Sequence, residues 1–243
     1  MTLPEIIIAI IGLGCAGLVK GATGIGYSTT ALPIVALAVG LDHAIPLVIL
    51  PSITSNLSVM ISAGDFRPML IRFRALYLAL LPGLLTGLYL LSSVPVNHAG
   101  RVLGVVILMY ATYALTRPAL NLGHRAERVL NVPVGYLNGL INGLTGSQLL
   151  PIVPYSLSLG LSPAAIVQFT NIAFTISSLI MIAGLYRIGF LNGTVFLLSA
   201  AGVVPGLFGV SVGTRLRKKI QPETFRKGVL LVLCVMAMLL ITN

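Results

Sequence analysis

The chain is written as ten apolar runs separated by short polar breaks, and no single motif restricts its fold as much as that alternation. The runs cover about 5–19, 24–40, 44–63, 75–91, 98–116, 131–145, 147–161, 163–183, 190–212 and 226–242. A membrane crossing needs about 20 apolar residues, somewhat fewer where the bilayer thins. The third, fifth, eighth and ninth runs meet that length. The first, second, sixth and seventh are short and rich in glycine, which predicts half-helices or re-entrant hairpins. Such segments are tolerated in a membrane only when protein shields them or they line a cavity. The expected fold is therefore all-α: a polytopic helical membrane protein of eight to ten segments, forming one domain over residues 1–243.

Composition excludes a water-facing surface. Charged residues make up 8% of the 243 positions, against about 25% in soluble domains, and the mean hydropathy is +1.03. The lipid bilayer is thus the first partner. The net charge of +10 invites a nucleic-acid reading, but the basic residues are clustered between apolar runs, as orientation signals are. One cluster is Arg67, Arg72 and Arg74, the next Arg117, Arg125 and Arg128, and the last Arg215, Arg217, Lys218, Lys219, Arg226 and Lys227. If every run crosses once, all three clusters fall on one face. The positive-inside rule makes that face cytoplasmic and places both termini outside. No nucleic-acid partner is expected.

Cys15 and Cys234 lie inside apolar runs at opposite ends of the chain, so neither a disulfide framework nor a metal site is expected. The N-terminus lacks a basic region and a small-residue cleavage site, and the first run is expected to remain as a membrane helix.

The chain also repeats itself. Gly17-Leu-Val-Lys-Gly-Ala-Thr-Gly24 and Gly139-Leu-Ile-Asn-Gly-Leu-Thr-Gly146 share five of eight positions at a shift of 122. Gly40-Leu41, Ala44, Ala63-Gly64 and Arg67 recur as Gly160-Leu161, Ala164, Ala183-Gly184 and Arg187 at a shift of 120. Pro82-Gly83-Leu84 returns as Pro205-Gly206-Leu207 at 123. Matches in one order at nearly one shift indicate duplication, with units of about 5–119 and 129–243. Each unit holds an odd number of crossings, so the second enters from the opposite face. Inverted-topology pairs of this kind hold their binding sites at the repeat interface near the membrane midplane.

Within each unit, Gly-xxx-Gly precedes a Thr-Gly step, and a proline follows at Pro33 or Pro154. Gly17 and Gly139 alone read as close helix packing. The Thr-Gly steps fall between two short runs, where glycine can break a helix and free backbone N–H groups at the next N-terminus. Such a terminus attracts anions. The expected anion-binding residues are therefore Gly21, Thr23, Gly24 and Gly26 in the first copy, and Gly143, Thr145, Gly146, Ser147 and Gln148 in the second. Ser28 is a further hydroxyl donor.

Lys20 carries a charge into this motif, with Asn142 at the equivalent position. A lysine at membrane depth costs about 2.5–3.5 kcal/mol. Two readings stand: a positive charge lining an anion pathway, or a side chain that snorkels to the interface. Asn56 and Asn171, with Gln168, are costly to bury and extend the candidate pathway; the hydroxyls of Ser52, Thr54, Ser55, Thr170 and Thr175 read equally well as helix-internal bonds.

Catalytic residues are not expected. His43, His98 and His124 and all five acids lie at the ends of runs or in loops, whereas a protease, metalloenzyme or carboxylate relay needs such groups at depth. No cofactor or metal is expected, and the pattern is not that of an enzyme.

The length, the duplicated half, and the Gly21-Ala-Thr-Gly24-Ile-Gly26 and Pro33 pattern with its echo at Gly143-Leu-Thr-Gly146 and Pro154 resemble the TauE/SafE family of sulfite and organosulfonate exporters. The resemblance covers nearly the whole chain and implies transport of small, often sulfur-containing anions across the bacterial cytoplasmic membrane. Tyr27 stands where that family usually has a further glycine, and Ser147-Gln148 replaces part of the second glycine cluster. The leading expectation is a secondary transporter or facilitator of small oxyanions working by alternating access. The alternatives are a channel or carrier for cations or neutral solutes, and a non-transporting membrane scaffold subunit. A homo-oligomer is compatible with each.

Overall fold

A computed structural model describes residues 2–116, 121–217 and 222–242. Arg117, Lys218 and Lys219 of the basic clusters lie outside the described residues, as does the side chain of Arg226. All regular structure among the described residues is helical. In chain order the helices are α1 (Leu3–Thr23), α2 (Tyr27–Val39), α3 (Leu41–Ala63), α4 (Phe66–Arg72), α5 (Arg74–Ser93), α6 (Val96–Thr116), α7 (His124–Thr145), α8 (Ile152–Leu157), α9 (Pro163–Arg187), α10 (Gly193–Leu216) and α11 (Pro222–Thr242). Six of them, α1, α3, α5, α6, α9 and α10, are long and apolar enough to cross a membrane.

Every apolar run contains a helix, but two lengths differ from expectation. The first and sixth runs belong to helices of 21 and 22 residues, so neither is a half-helix. α1 is lengthened at its start, where the Glu5 carboxylate accepts from the Thr2 N–H at 2.8 Å in the manner of a capping box. α7 is lengthened backwards through the polar turn His124–Arg128. The short partners are α2, with 13 residues, and α8, with six. Pro151 and Pro154 restrict α8, and residues 147–149 ahead of it are not helical. The small helix α4 was not expected, because its arginines and proline hide its apolar side chains. His43, His98 and His124 sit in helical first turns rather than in loops.

Two pairs of parallel helices frame the bundle. A Cβ on Gly17 would strike the Gly206 carbonyl, and one on Gly21 the Val210 carbonyl, while Gly209 and Gly213 meet Gly14 and Leu18 from the other side. Contacts therefore advance together along α1 and α10. The same construction joins α5 to α7, where Gly135, Gly139 and Gly143 meet the carbonyls of Leu76, Leu80 and Leu84. Backbones this close gain dispersion and leave no space for a side chain. Between the pairs lie α3 and α9, which run antiparallel. Ser58 and Ser62 share an opening with Pro163 and Val167 at one end, and Ile45 and Ile49 share a cavity with Met181 at the other.

α3 contains Pro46 and Pro51. Pro51 has no N–H for the Leu47 carbonyl, and the Ser199 hydroxyl of α10 takes its place at 3.0 Å while accepting from the Leu50 N–H at 3.2 Å. One end of the bundle gathers the basic residues. There Arg72 makes a two-pronged ion pair with Glu127 at 2.7 and 2.8 Å, and the carboxylate pushes the guanidinium further above its ordinary range. The polarity of the whole is inside-out. Leu78, Val204 and Phe208 face outward at more than 70% exposure, whereas Lys20, Asn56, Asn138, Asn142 and Asn171 are buried.

Gly17→Val and Gly139→Val are expected to lower stability by about 3 kcal/mol or more, since a side chain there must force the paired backbones apart. Gly100→Ala, where a Cβ meets nothing within 4 Å, is the control and should leave stability unchanged or raise it by up to about 1 kcal/mol, as alanine suits a helix interior better. Thermal denaturation of the detergent-solubilised chain measures both.

Candidate functional site

The chain breaks after Thr23. Gly24 and Gly26 take φ of +83° and +89°, a left-handed backbone that glycine adopts without penalty. The Thr23 hydroxyl lies 2.9 Å from the Val19 carbonyl and 2.7 Å from that of Ile25, so it ties the turn to its own helix. α2 starts immediately after, at Tyr27. Its first-turn N–H groups have no helical acceptor, and the buried Thr29 hydroxyl beside them has no partner among the described residues.

Lys20 lies one turn before the break and is completely enclosed; it does not snorkel. Its Nζ donates to Asn56 Oδ1 of α3 at 2.7 Å and to Asn171 Oδ1 of α9, and sits 5.7 Å from the centre of the Phe174 ring. The Asn171 amide then donates to the Gly24 carbonyl at 3.0 Å and to Val167 at 2.7 Å. One side chain thus holds both the lysine and the broken turn. The Asn56 Nδ2 is buried without an acceptor among the described residues. In an apolar interior such a donor is costly, and an oxyanion would satisfy it. Three residues singled out in sequence, 151 positions apart at the extremes, meet here.

A second polar group reaches the backbone carbonyl of Phe174. α7 ends at Gly146, with φ +75°. The following stretch of chain is not a helix start, as expected for Gly146–Gln148, because α8 begins only at Ile152. It is non-helical and then turns at Leu150 and Pro151. Asn138 Nδ2 donates to the carbonyls of Gln148 and Leu150, both at 2.8 Å. This turns the Gln148 side chain inward, where its Nε2 donates to Ser178 Oγ at 2.8 Å and to the Phe174 carbonyl at 3.3 Å. Ser28 and Ser52 pair at 3.0 Å, with Ser28 3.5 Å from Gln148 Oε1. Ser28, Ser52, Asn142, Gly146, Gln148 and Ser178 line an enclosed cavity of about 20 Å³, room for one water molecule. Asn142 Nδ2 faces no acceptor among the described residues, and the buried Ser147 hydroxyl has no partner among them either.

The remaining candidates serve the backbone. Gly143 lies against the Leu84 carbonyl and Gly87, and the Thr145 hydroxyl donates to Ile141 at 2.6 Å and accepts from the Ser147 N–H at 3.2 Å. Gly21 both packs on α10 and borders the vestibule described next. Gln168 is buried with an unpartnered Oε1 and lines neither cavity. Asn138, Phe174 and Ser178 escaped the sequence reading. The only signal for Asn138 was a second asparagine one helical turn before Asn142, and Phe174 looks like any apolar residue.

A vestibule of about 650 Å³ opens at the basic end, bordered by Thr23, Gly24, Ser58, Ser62, Thr214 and Arg217. Its inner wall is the Gly24 turn, with the Lys20–Asn56–Asn171 cluster directly behind. Beyond that cluster, among the described residues, lies the water-sized cavity, lined by Leu32, Ile45, Ile49 and Met181. The vestibule is thus an approach to the cluster from the basic end. In a chain freed of Cys15 and Cys234, Ser62→Cys is expected to react with a membrane-impermeant thiol reagent supplied at the basic face. Ser178→Cys should react at least tenfold more slowly from either face.

The family model described as "Sulfite exporter TauE/SafE" matches residues 8–240 of the chain. No curated protein and no solved structure shows significant similarity to it.

Proposed function

The chain belongs to the TauE/SafE sulfite exporter family, and from that premise we propose that it is a secondary transporter of small sulfur oxyanions, such as sulfite or an organosulfonate. The observation that carries the reading is the enclosed Lys20 side chain, its Nζ held by Asn56 and Asn171 at the junction of α1, α3 and α9. A buried cation without a carboxylate partner favours an anionic ligand and repels a cationic one. The free Asn56 Nδ2 and the α2 N-terminus add neutral donors to the same neighbourhood.

The movement is alternating access between two inverted halves. The reading is supported by the antiparallel course of α3 and α9, which hold matching positions in the two copies, and by the pairing of α1 with α10 and α7 with α5. Each parallel pair joins the first helix of one copy to a late helix of the other. The basic end faces the cytoplasm and both termini lie outside, on the positive-inside rule. On this assignment the 650 Å³ vestibule is a cytoplasm-facing state in which a substrate would wait beneath Lys20.

The test is flux of labelled sulfite and short alkylsulfonates in liposomes holding the purified chain. Wild type is expected to exchange at least one of them. Lys20→Ala should lower the rate by about tenfold to a hundredfold, the worth of one charge-assisted bond of about 1.5–3 kcal/mol. Cation-driven currents without anion flux, or Lys20→Ala indistinguishable from wild type across the panel, would count against the proposal.

A further inference from the structure

We propose that Lys20 is a proton carrier as well as a charge, so that each anion crosses together with one proton. This rests on the anion-transporter reading above. An ammonium has three N–H donors and a neutral amine two. The described residues offer Nζ two acceptors, Asn56 Oδ1 and Asn171 Oδ1, and both are uncharged. In its third direction stands the Phe174 ring, 5.7 Å away. The empty site therefore takes both N–H groups of an amine, and offers the third N–H of an ammonium only the ring face, with no opposite charge among the described residues to balance it. A bound oxyanion reverses the balance, because it supplies an acceptor and the opposite charge at once. Anion and proton then raise each other's affinity, as thermodynamic linkage requires.

Among the described residues no other titratable group competes for this role. On α1 itself, Glu5 and Cys15 lie toward the opposite end. From α2 the nearest is Tyr27, whose hydroxyl donates to the Leu13 carbonyl at 3.2 Å. α3 carries Asp42 and His43, which pair with each other at 3.1 Å about 21 Å of helix away from Asn56. α9 has Tyr186 and Arg187 in its last turn, beyond the small cavity. α10 has Arg215 in its last turn, with Arg217 just after it at the vestibule mouth. The proton's path on this side is one side chain thick: the Asn171 amide that receives Nζ also grips the Gly24 carbonyl of the vestibule wall. After the anion leaves, an Nζ–H bond breaks, the nitrogen keeps the electron pair, and the proton passes to vestibule water. The neutral amine can then return through the closed state without carrying an unpaired charge across. The opposite face reprotonates it from water as the next anion enters.

The experiment uses the full-length chain in liposomes with the membrane potential clamped at zero and labelled methanesulfonate as probe, a strong-acid anion that carries no proton of its own. With the outside one pH unit more acid, wild type is expected to accumulate the probe about tenfold, the ratio set by one proton per anion. Lys20→Arg keeps its charge at any working pH, so its ratio of net accumulation to label exchange should fall at least tenfold. Exchange that proceeds in wild type without any response to the pH gradient overturns the coupling and leaves the transporter reading standing. A Lys20→Arg protein that follows the gradient as wild type does places the proton elsewhere and also overturns it. Absence of methanesulfonate exchange in protein with a native melting profile removes the transporter reading for this class of anion, and the coupling with it.

Discussion

The bridge from Lys20 to Asn56 and Asn171 decides how the centre of this bundle is built. An ammonium group in an apolar interior needs acceptors fixed before it arrives, since no water follows it there. α3 and α9 supply one amide oxygen each, and the lysine rides on α1, so three helices meet at one nitrogen. The Asn171 amide then reaches the Gly24 carbonyl. The break between α1 and α2 is thereby tied to the same point, and its left-handed glycines are set by that tie as much as by the turn. The second polar group is organised in a parallel manner. There Asn138, not a charge, fixes the chain after α7, and Gln148 bonds to Ser178 and the Phe174 carbonyl.

Glycine fixes the distances around this centre. Along α1–α10 and α5–α7 the backbones touch, and each pair behaves as one thick helix. Those seams contrast with α2 and α8, which are short, largely buried and flanked by non-helical chain. A bundle with two stiff pairs and two short inner segments has a natural division between what supports the site and what borders it.

Much of this was legible in sequence, and the gaps have physical causes. Hydropathy located every described helix except α4, because an apolar run in lipid has few alternatives to helix. At α4 the residues Arg67, Pro68 and Arg72 interrupt the apolar signal, and α8 begins later than its apolar run does. Residues 147–151 lie inside an apolar run but are held out of helix by Asn138, a contact no local pattern reveals. Lys20, Asn56 and Asn171 were visible as costly residues. What the sequence did not contain was depth. The first apolar run ends before Lys20, which suggested an interfacial side chain, whereas α1 continues to Thr23 and other helices close over it. Gly21 and Gly143 carry a packing role that the motif also encodes, against α10 and α5.

The serine at position 199 has a mechanical consequence. A proline in mid-helix leaves a carbonyl unclaimed and a hinge beside it, and Ser199 closes that gap from another helix, accepting from the Leu50 N–H and donating to the Leu47 carbonyl, both in the turn before Pro51. α3 is therefore stapled to α10 at its weakest joint, one residue before Ser52 enters the polar cavity. Because α10 is welded to α1, any tilt of that pair pulls on the elbow of α3 and alters the angle between its upper half, which lines the small cavity, and its lower half, which carries Asn56.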